Sequence, residues 1–265
     1  MTESEHYYGF ADDDETEQRE HRRLRALAAV RDPKTISVLE SIGIEPGWHC
    51  LEVGAGAGTI SRWLSERIGV DGRVMSTDVD LRFHETDLAD NVIVREHDIT
   101  TDRLPAAHFD LIHARAVLQH LPTRDEVFAK FVELAKPGGW IVVEDGDFRS
   151  FEAQPLPEPL GTVHRLLATG AADGFREPNF GSRAIELFRA HGLTDIDVLG
   201  DTWAMRGNED SGEWWFMAME HVAPRLIEAE VVSAAQMDEA LAQARDPAFV
   251  MLSTQSLAVW GRTPT

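Results

Sequence analysis

A short apolar run at 48–53 leads directly into three alternating glycines, Gly54, Gly56 and Gly58, and helical periodicity follows from Thr59 to Ile68. Glycine lets the backbone turn sharply and lets a ligand approach main-chain N–H groups at a helix N-terminus. The segment therefore predicts a strand, a tight turn and a helix, with a ligand site at the turn.

Strand and helix patterns alternate after this unit. Further strands are predicted at residues 73–77, 91–96, 109–114 and 140–143. A helix is predicted at 123–135, where the run Pro137-Gly138-Gly139 is expected to break it before the last of these strands. Strands that alternate with helices at this spacing indicate an α/β sheet with parallel strands.

The flanking regions are predicted to be mainly helical. Two helices, from Glu20 to Val30 and from Thr35 to Ile42, are expected before the first strand, with Pro33 as the break between them. Residues 1 to 20 are strongly acidic and predict a solvated tail or a frayed helix, or alternatively a lid over an apolar pocket formed with Tyr7, Tyr8 and Phe10.

Downstream, the patterns predict more helices and strands in a less regular order. The helices are expected at 160–172, 184–191, 210–229, with Pro224 as a kink, and 233–245. The strands are expected at 194–199, 202–205 and 249–260.

Composition excludes several classes of protein. Lys and Arg total 25 against 46 Asp and Glu, a net charge of −21, which argues against a nucleic-acid partner because such partners are held by basic footprints. No apolar stretch reaches the roughly 18 residues that a membrane span needs. Cys50 is the single cysteine, so neither a disulfide framework nor a cysteine metal site is expected. We expect a soluble, cytoplasmic protein with no membrane partner.

The glycine spacing also favours one kind of ligand. A dinucleotide fingerprint would place its third glycine at position 59, where this chain has Thr59. Glu52, just before the glycines, would repel a pyrophosphate and attract a cationic ligand. The loop therefore favours a positively charged cofactor over NAD.

At this point the chain resembles class I S-adenosylmethionine-dependent methyltransferases, in particular the ubiquinone/menaquinone-methyltransferase type that acts on small molecules. Segments in the family's order carry the resemblance over residues 46–147: Leu51–Gly58, Val74–Asp78, His97–Ile99, Phe109–Leu121 and Pro137–Gly139. It implies a Rossmann-like α/β fold, a mainly parallel seven-stranded sheet with an antiparallel last strand, preceded by N-terminal helices and carrying a helical cap.

The resemblance also implies the cofactor, S-adenosylmethionine, and its binding residues. An acidic residue after the second strand holds the ribose hydroxyls in that family, and one after the third accepts from the adenine amino group. Asp78 and Asp98 stand in these places, although from the residues alone Asp78 also fits a helix cap and Asp98 a turn. The predicted cofactor-binding residues are Glu52, Gly54, Ala55, Gly56, Asp78, Val79, Asp98, Ile99 and Arg115.

The expected reaction is methyl transfer to an O, N or C atom of a small-molecule acceptor, in specialised metabolism. Orientation of acceptor and methyl donor supplies about 7–11 kcal/mol of such a barrier. His120 is the predicted catalytic base if the acceptor must lose a proton, and capping or packing is the alternative role. Glu144 and Asp145 could orient the acceptor, His113 is expected to be a core histidine, and no metal site is predicted.

The implied organisation is an acidic tail with helices at 1–45 and a methyltransferase domain at 46–265, with its cofactor-binding core at 46–148. A segment at 207–247, rich in Trp, Phe and Met, is predicted to be a cap over an apolar acceptor pocket. A helix pair packed on the sheet edge or in a homodimer contact is the alternative. The rival functions are a protein that binds the cofactor without transfer, such as a cyclase or a structural partner, and a nicotinamide oxidoreductase.

Overall fold

The computed structural model describes residues 14–85, 87–169 and 177–265, with the side chains described from residue 17 onward. The lid hypothesis for Tyr7, Tyr8 and Phe10 lies outside these residues, as does the end of the helix predicted at 160–172.

A seven-stranded sheet forms the centre of the molecule. In chain order the nine strands are β1 (His49–Val53), β2 (Arg73–Asp78), β3 (Val92–Glu96), β4 (Phe109–Arg115), β5 (Ala135–Asp147), β6 (Thr194–Asp201), β7 (Ala204–Arg206), β8 (Val250–Leu252) and β9 (Gln255–Arg262). The sheet order is β3-β2-β1-β4-β5-β9-β6, and only β9 runs antiparallel to its neighbours. The predicted fold class is confirmed. Strands β1 to β5 all end at one border of the sheet, called here the carboxyl edge.

Helices cover both faces of the sheet. They are α1 (Asp14–Ser41), α2 (Thr59–Ile68), α3 (Arg124–Leu134), α4 (Arg149–Glu152), α5 (Leu160–Ala168), α6 (Phe180–Ala190), α7 (Asp210–Glu228) and α8 (Ala234–Ala244). One apolar core lies between the sheet and α1 with α2, and a second lies between the sheet and α3 with α6. None of the helices in the described ranges is long and apolar enough to cross a membrane.

The prediction of two helices before β1 is wrong, because α1 is a single helix of 28 residues with Pro33 inside it. Proline removes one backbone hydrogen bond and costs about 3 kcal/mol in a helix interior. Packing on both sides of the proline offsets that cost. Val38 and Leu39 are buried on the sheet, and Arg19 pairs with Glu220 of α7 at 3.1 Å.

Two strand predictions also need correction. Pro137-Gly138-Gly139 lies inside β5, at an irregular start where the pairing with β4 jumps from Ala135 to Trp140. The strand predicted at 249–260 is two strands, because Ser253 and Thr254 separate β8, which pairs with β7, from β9 in the main sheet. Local patterns show that such residues prefer extended backbone, whereas partner strands decide where pairing stops.

A third apolar core lies outside the sheet. Trp215, Phe216 and Met219 of α7 are buried there, together with side chains of α4, α5, α8 and the β7–β8 ribbon. The segment predicted as a cap therefore folds around a core of its own, and α7 packs against α1. The cap boundaries of 207–247 remain a prediction.

Candidate functional site

The glycine loop between β1 and α2 has the backbone geometry of a ligand cradle. Gly54, Gly56 and Gly58 have φ angles of 68°, 54° and 78°, the left-handed region that favours glycine. Ala55 donates its N–H to the carbonyl of Thr77 at 3.0 Å, which fixes the loop against the end of β2. The loop is thereby held at the carboxyl edge, where open α/β sheets bind their ligands.

Gly54→Ala is expected to damage this loop more than the same change elsewhere. The left-handed backbone alone costs about 1–2 kcal/mol for alanine, and the added Cβ would also collide with Cγ2 of Val117. Gly47→Ala is the matched control, because its φ is 86° but a Cβ there meets nothing within 4 Å. Chemical denaturation should show a larger loss of unfolding free energy for Gly54→Ala than for Gly47→Ala. Equal losses would mean that the approach to Val117 is loose.

Asp78 ends β2 and ties the glycine loop down. Its Oδ2 accepts from the N–H of Gly56 at 2.8 Å, and its Oδ1 accepts from the N–H of Asp80 at 3.2 Å. Burial raises the pKa of this carboxyl, while the backbone hydrogen bonds act in the opposite direction. The carboxylate thus shapes the loop, and binding of the ribose hydroxyls by Asp78 remains a prediction.

Asp78→Ala should weaken S-adenosylmethionine binding by about ten- to a hundredfold, the usual effect of losing charge-assisted hydrogen bonds. Asp80→Ala serves as the control, because the Asp80 side chain caps a 3₁₀ turn at 81–83 and pairs with Arg82. Calorimetric titration of both folded variants tests this. An unchanged affinity in Asp78→Ala would leave Asp78 with the structural role alone.

The predicted adenine-side residues differ in what they present. Val79 is exposed. Asp98 has its Oδ1 bonded to the N–H of Thr100 at 2.8 Å and to its hydroxyl at 2.6 Å, the turn arrangement that the sequence also allowed. The side chain of Ile99 is buried in the core, so this residue can meet a ligand through its backbone only.

A buried charged cluster crosses the sheet beneath the loop. His113 of β4 pairs in register with Glu52 of β1, and its Nδ1 lies 3.7 Å from Oε1 of Glu52. Its Nε2 lies 3.1 Å from Oε1 of Glu144 on β5. Burial alone would lower the pKa of His113, but the hydrogen bond to Glu144 and the nearby charges of Glu52 and Glu144 raise it to about 9. Burial alone would raise the pKa of Glu144, but the hydrogen bond to His113 and the charge of His113 lower it to about 2. An imidazolium thus lies between two carboxylates.

The same cluster continues to the other side of β1. Ser61 donates to Oε2 of Glu52 at 2.7 Å and lies 2.6 Å from the hydroxyl of Ser76, which is 2.7 Å from Nε2 of His84. The carboxylate of Glu52, predicted to attract a cationic ligand, is therefore already engaged by a hydroxyl and an imidazolium. Among the residues that the structure describes, no group of three His, Cys, Asp or Glu side chains could hold a metal ion.

Arg115, at the end of β4, was predicted to bind the cofactor. Its guanidinium donates instead to Oγ1 of Thr35 at 2.9 Å and pairs with Asp32 at 2.9 Å, both on α1. Lys34, on the same turn of α1, pairs with Asp201 at 3.0 Å. These pairs lay α1 across the carboxyl edge, which leaves the backbone of Arg115 as the part that can face a ligand.

His120 lies just past the end of β4, in a short 3₁₀ turn at Leu118–His120. Its Nε2 lies 3.0 Å from the amide nitrogen of Gln119, and the N–H of Gly146 donates to the amide oxygen of Gln119 at 3.0 Å. Because Gly146 fixes the orientation of that amide, Nε2 of His120 is the acceptor. To take a proton from the methyl-acceptor molecule at Nε2, His120 must first give up its hydrogen bond to Gln119.

Asp145 is the second acid at the end of β5. It is fully buried, its Oδ1 lies 3.5 Å from the N–H of Gln119, and its Oδ2 has no hydrogen-bond partner among the described residues. Burial raises its pKa to about 8, although the Gln119 bond opposes the shift. Sequence reasoning noticed Asp145 as an orienting group, but only the structure shows that one of its oxygens is left without a partner.

The comparisons with known proteins agree with this geometry. Residues 51–141 match a family described as a methyltransferase domain. The chain is 33% identical over 139 residues to methyltransferase str2 of Strobilurus tenacellus, covering 49% of this chain and 48% of that one. It is 26% identical over 135 residues to the ubiquinone/menaquinone biosynthesis C-methyltransferase UbiE of Laribacter hongkongensis, covering 44% and 55%. The chain thus spans about half the length of these curated relatives.

Solved structures resemble the fold over most of the chain. The YcgJ protein from Bacillus subtilis has a TM-score of 0.57 at 14% identity, covering 86% of this chain and 97% of that one. Phosphoethanolamine N-methyltransferase 2 of Haemonchus contortus, solved with phosphomonomethylethanolamine and S-adenosylhomocysteine, has a TM-score of 0.54 at 14% identity, covering 91% and 57%.

The sheet order, the glycine loop at its carboxyl edge and the matched domain define a Rossmann-like methyltransferase core. In its fold, and over residues 51–141 of its sequence, the chain is similar to the class I S-adenosylmethionine-dependent methyltransferases.

Proposed function

We propose that the protein transfers a methyl group from S-adenosylmethionine to a small-molecule acceptor at the carboxyl edge of β1, β4 and β5. The observation that carries the proposal is the glycine loop, held open by left-handed backbone and tied to Asp78. A Cβ at Gly54 or Gly58 would collide with Val117 or His84, so glycine is required at both positions for the loop to keep this shape. The glycine loop at residues 54–58, together with Asp78, fits an adenosyl cofactor.

In this arrangement the cofactor supplies a methyl group on a positively charged sulfur. The chain positions the acceptor and the cofactor relative to each other, and this orientation accounts for much of the rate acceleration in such a transfer. Residues 54–58 and Asp78 hold the nucleoside part. The side chain of Glu52 is fixed below the loop by the hydrogen bond from Ser61 and the contact with His113. Helix α1 covers the edge and excludes water, which favours a reaction that neutralises charge.

Two groups can serve as a proton acceptor if the acceptor molecule must lose a proton. His120 has the position, just past the end of β4, and Asp145 has a buried carboxyl with a pKa raised to about 8 by burial. A base works best when its pKa lies near the working pH. We propose His120 as the base and Asp145 as a group that orients the acceptor.

The acceptor is proposed to be a small organic molecule of specialised metabolism. The names of two relatives, a quinone-biosynthesis C-methyltransferase and a phosphoethanolamine N-methyltransferase, support a small-molecule acceptor, whereas specialised metabolism is proposed from the sequence alone. The apolar side chains of α7 and the neighbouring ribbon support the proposal that 207–247 caps the acceptor pocket. A cytoplasmic location, the absence of a nucleic-acid partner and the homodimer alternative remain predictions from the sequence.

Calorimetry with S-adenosylmethionine, S-adenosylhomocysteine and NAD tests the cofactor first. We expect micromolar binding of the first two and none of comparable strength for NAD; binding of NAD alone would contradict the proposal. Purified protein with methyl-labelled S-adenosylmethionine is then incubated with a metabolite extract, and labelled products are identified by mass spectrometry. Cofactor binding without turnover on any acceptor would favour a protein that does not transfer the methyl group.

A further inference from the structure

Arg31 carries a buried guanidinium that makes no hydrogen bond or ion pair through Nε or Nη1 within the described part of the chain. Its side chain is 6% exposed. The other charged side chains of the same helical turn are paired, Asp32 with Arg115 and Lys34 with Asp201. A buried guanidinium without an ion pair is unfavourable and calls for an explanation.

The position of Arg31 places it at the acceptor side of the carboxyl edge. The turn that carries it is bonded to β4 through Arg115 and to β9 through the contact of Lys34 with Ser256. The charges of Glu144 and Asp145, at the end of β5, act on its guanidinium. On the cap side, Cζ of Arg31 lies 5.9 Å from the centre of the Trp203 ring.

The carboxylates around Arg31 are not available as permanent counterions. Glu144 is bonded to His113, and Asp201 is paired with Lys34. Asp145 makes no hydrogen bond or ion pair with Arg31 among the described residues, since its Oδ1 meets the N–H of Gln119 and its Oδ2 has no partner, and burial raises its pKa. Burial and the charge of Arg115 lower the pKa of Arg31 to about 10, which still leaves it charged. Among residues 14–85, 87–169 and 177–265, no carboxylate forms an ion pair with the charged guanidinium of Arg31.

We infer that Arg31 binds an oxyanion group of the acceptor, such as a carboxylate or a phosphate. The planar guanidinium offers two parallel N–H donors that match two oxygens of such a group, and Nε and Nη1 are the two nitrogens left without a partner. The inference rests on the proposed function only in naming the ligand as the acceptor. The anion site itself is independent of the transfer reaction.

Calorimetric titrations of benzoate, phenyl phosphate and neutral benzamide into protein saturated with S-adenosylhomocysteine test the inference. We expect benzoate, phenyl phosphate or both to bind at millimolar concentration or below, and benzamide to bind more weakly. Arg31→Gln should lose about tenfold or more in anion affinity. The anion affinity of Arg31→Lys should lie between those of the wild type and Arg31→Gln, because lysine keeps the charge but lacks the planar pair of N–H donors. Arg25→Gln, exposed on the same helix, is the matched control and should not differ from the wild type.

Denaturation of Arg31→Met gives a second readout. A buried guanidinium without a bound anion destabilises the unliganded protein, so Arg31→Met should be at least as stable as the wild type. A loss of stability in Arg31→Met, equal anion affinity in wild type and Arg31→Gln, or binding of benzamide as tight as that of the anions would overturn the inference. If S-adenosylhomocysteine does not bind while the anions do in its absence, the proposed function fails and the anion site stands.

Discussion

His113→Leu is expected to lower the free energy of unfolding by about 3–5 kcal/mol, because it leaves Glu52 and Glu144 buried without the positive charge between them. Urea denaturation near neutral pH measures the effect. His164→Leu is a control at an equally buried histidine, whose Nε2 contacts the carbonyl of Phe151 and whose pKa burial lowers. It should lose only about 1 kcal/mol for one hydrogen bond. Equal losses in the two variants would contradict a charged His113.

The pH dependence of stability gives a second readout of the same variant. The pKa of His113 is raised from 6.5 to about 9 in the folded state, so its stabilising effect is complete below pH 6.5 and disappears as the pH rises to about 9. Asp145 acts in the same direction, because its pKa is raised from 3.8 to about 8 and its ionisation at higher pH is disfavoured in the folded protein. Wild-type stability should fall between pH 6.5 and 9, and His113→Leu should flatten that fall.

His120→Ala is expected to reduce turnover by about 10²–10⁴-fold while leaving cofactor affinity nearly unchanged, since a general base contributes on this order. The imidazole lies just beyond the end of β4, and its Nε2 contacts the amide nitrogen of Gln119 at 3.0 Å. Steady-state kinetics on the native acceptor, together with calorimetry of the cofactor, separates the two effects.

A matched control exists at the opposite end of the same strand. His108 precedes β4 and its ring packs on His49 and Phe109, far along the strand from the carboxyl edge. His108→Ala should keep its turnover. Full turnover in His120→Ala would reject the catalytic assignment, and it would be the expected result if the acceptor is a carbon atom or an oxygen that is already deprotonated. Methyl transfer as such would be unaffected by that outcome.

Local patterns predicted the central part of the fold accurately. The helix predicted from Thr59 to Ile68 has those bounds in the structure, because its apolar spacing and the glycines at both ends are neighbours in the chain. The glycine loop and the acid at the end of β2 were also found, since both are signals carried by one or two residues at a strand terminus. The predicted roles of the site residues toward cofactor and acceptor remain for the experiments above.

Pairings between distant segments could not be predicted in the same way. His113 looked like a core histidine, and only the register of β1, β4 and β5 shows that it lies between two carboxylates. The signal was present as polar residues inside apolar strands, at Glu52, Ser76 and His113, but a single strand does not show which of them become neighbours. Arg31 was passed over altogether, because its burial depends on α1 remaining helical through Pro33.

The sequence by itself determined the alternating order of strands and helices from β1 to β5, the α/β class and the place of the ligand loop, because each follows from periodicity and from glycine at turns. The tertiary structure alone decided that α1 is continuous, that it lies across the carboxyl edge, and which buried charges have partners. Those outcomes depend on packing and ion pairs between residues up to two hundred positions apart, such as Arg19 with Glu220, and such contacts override the local preference of a proline.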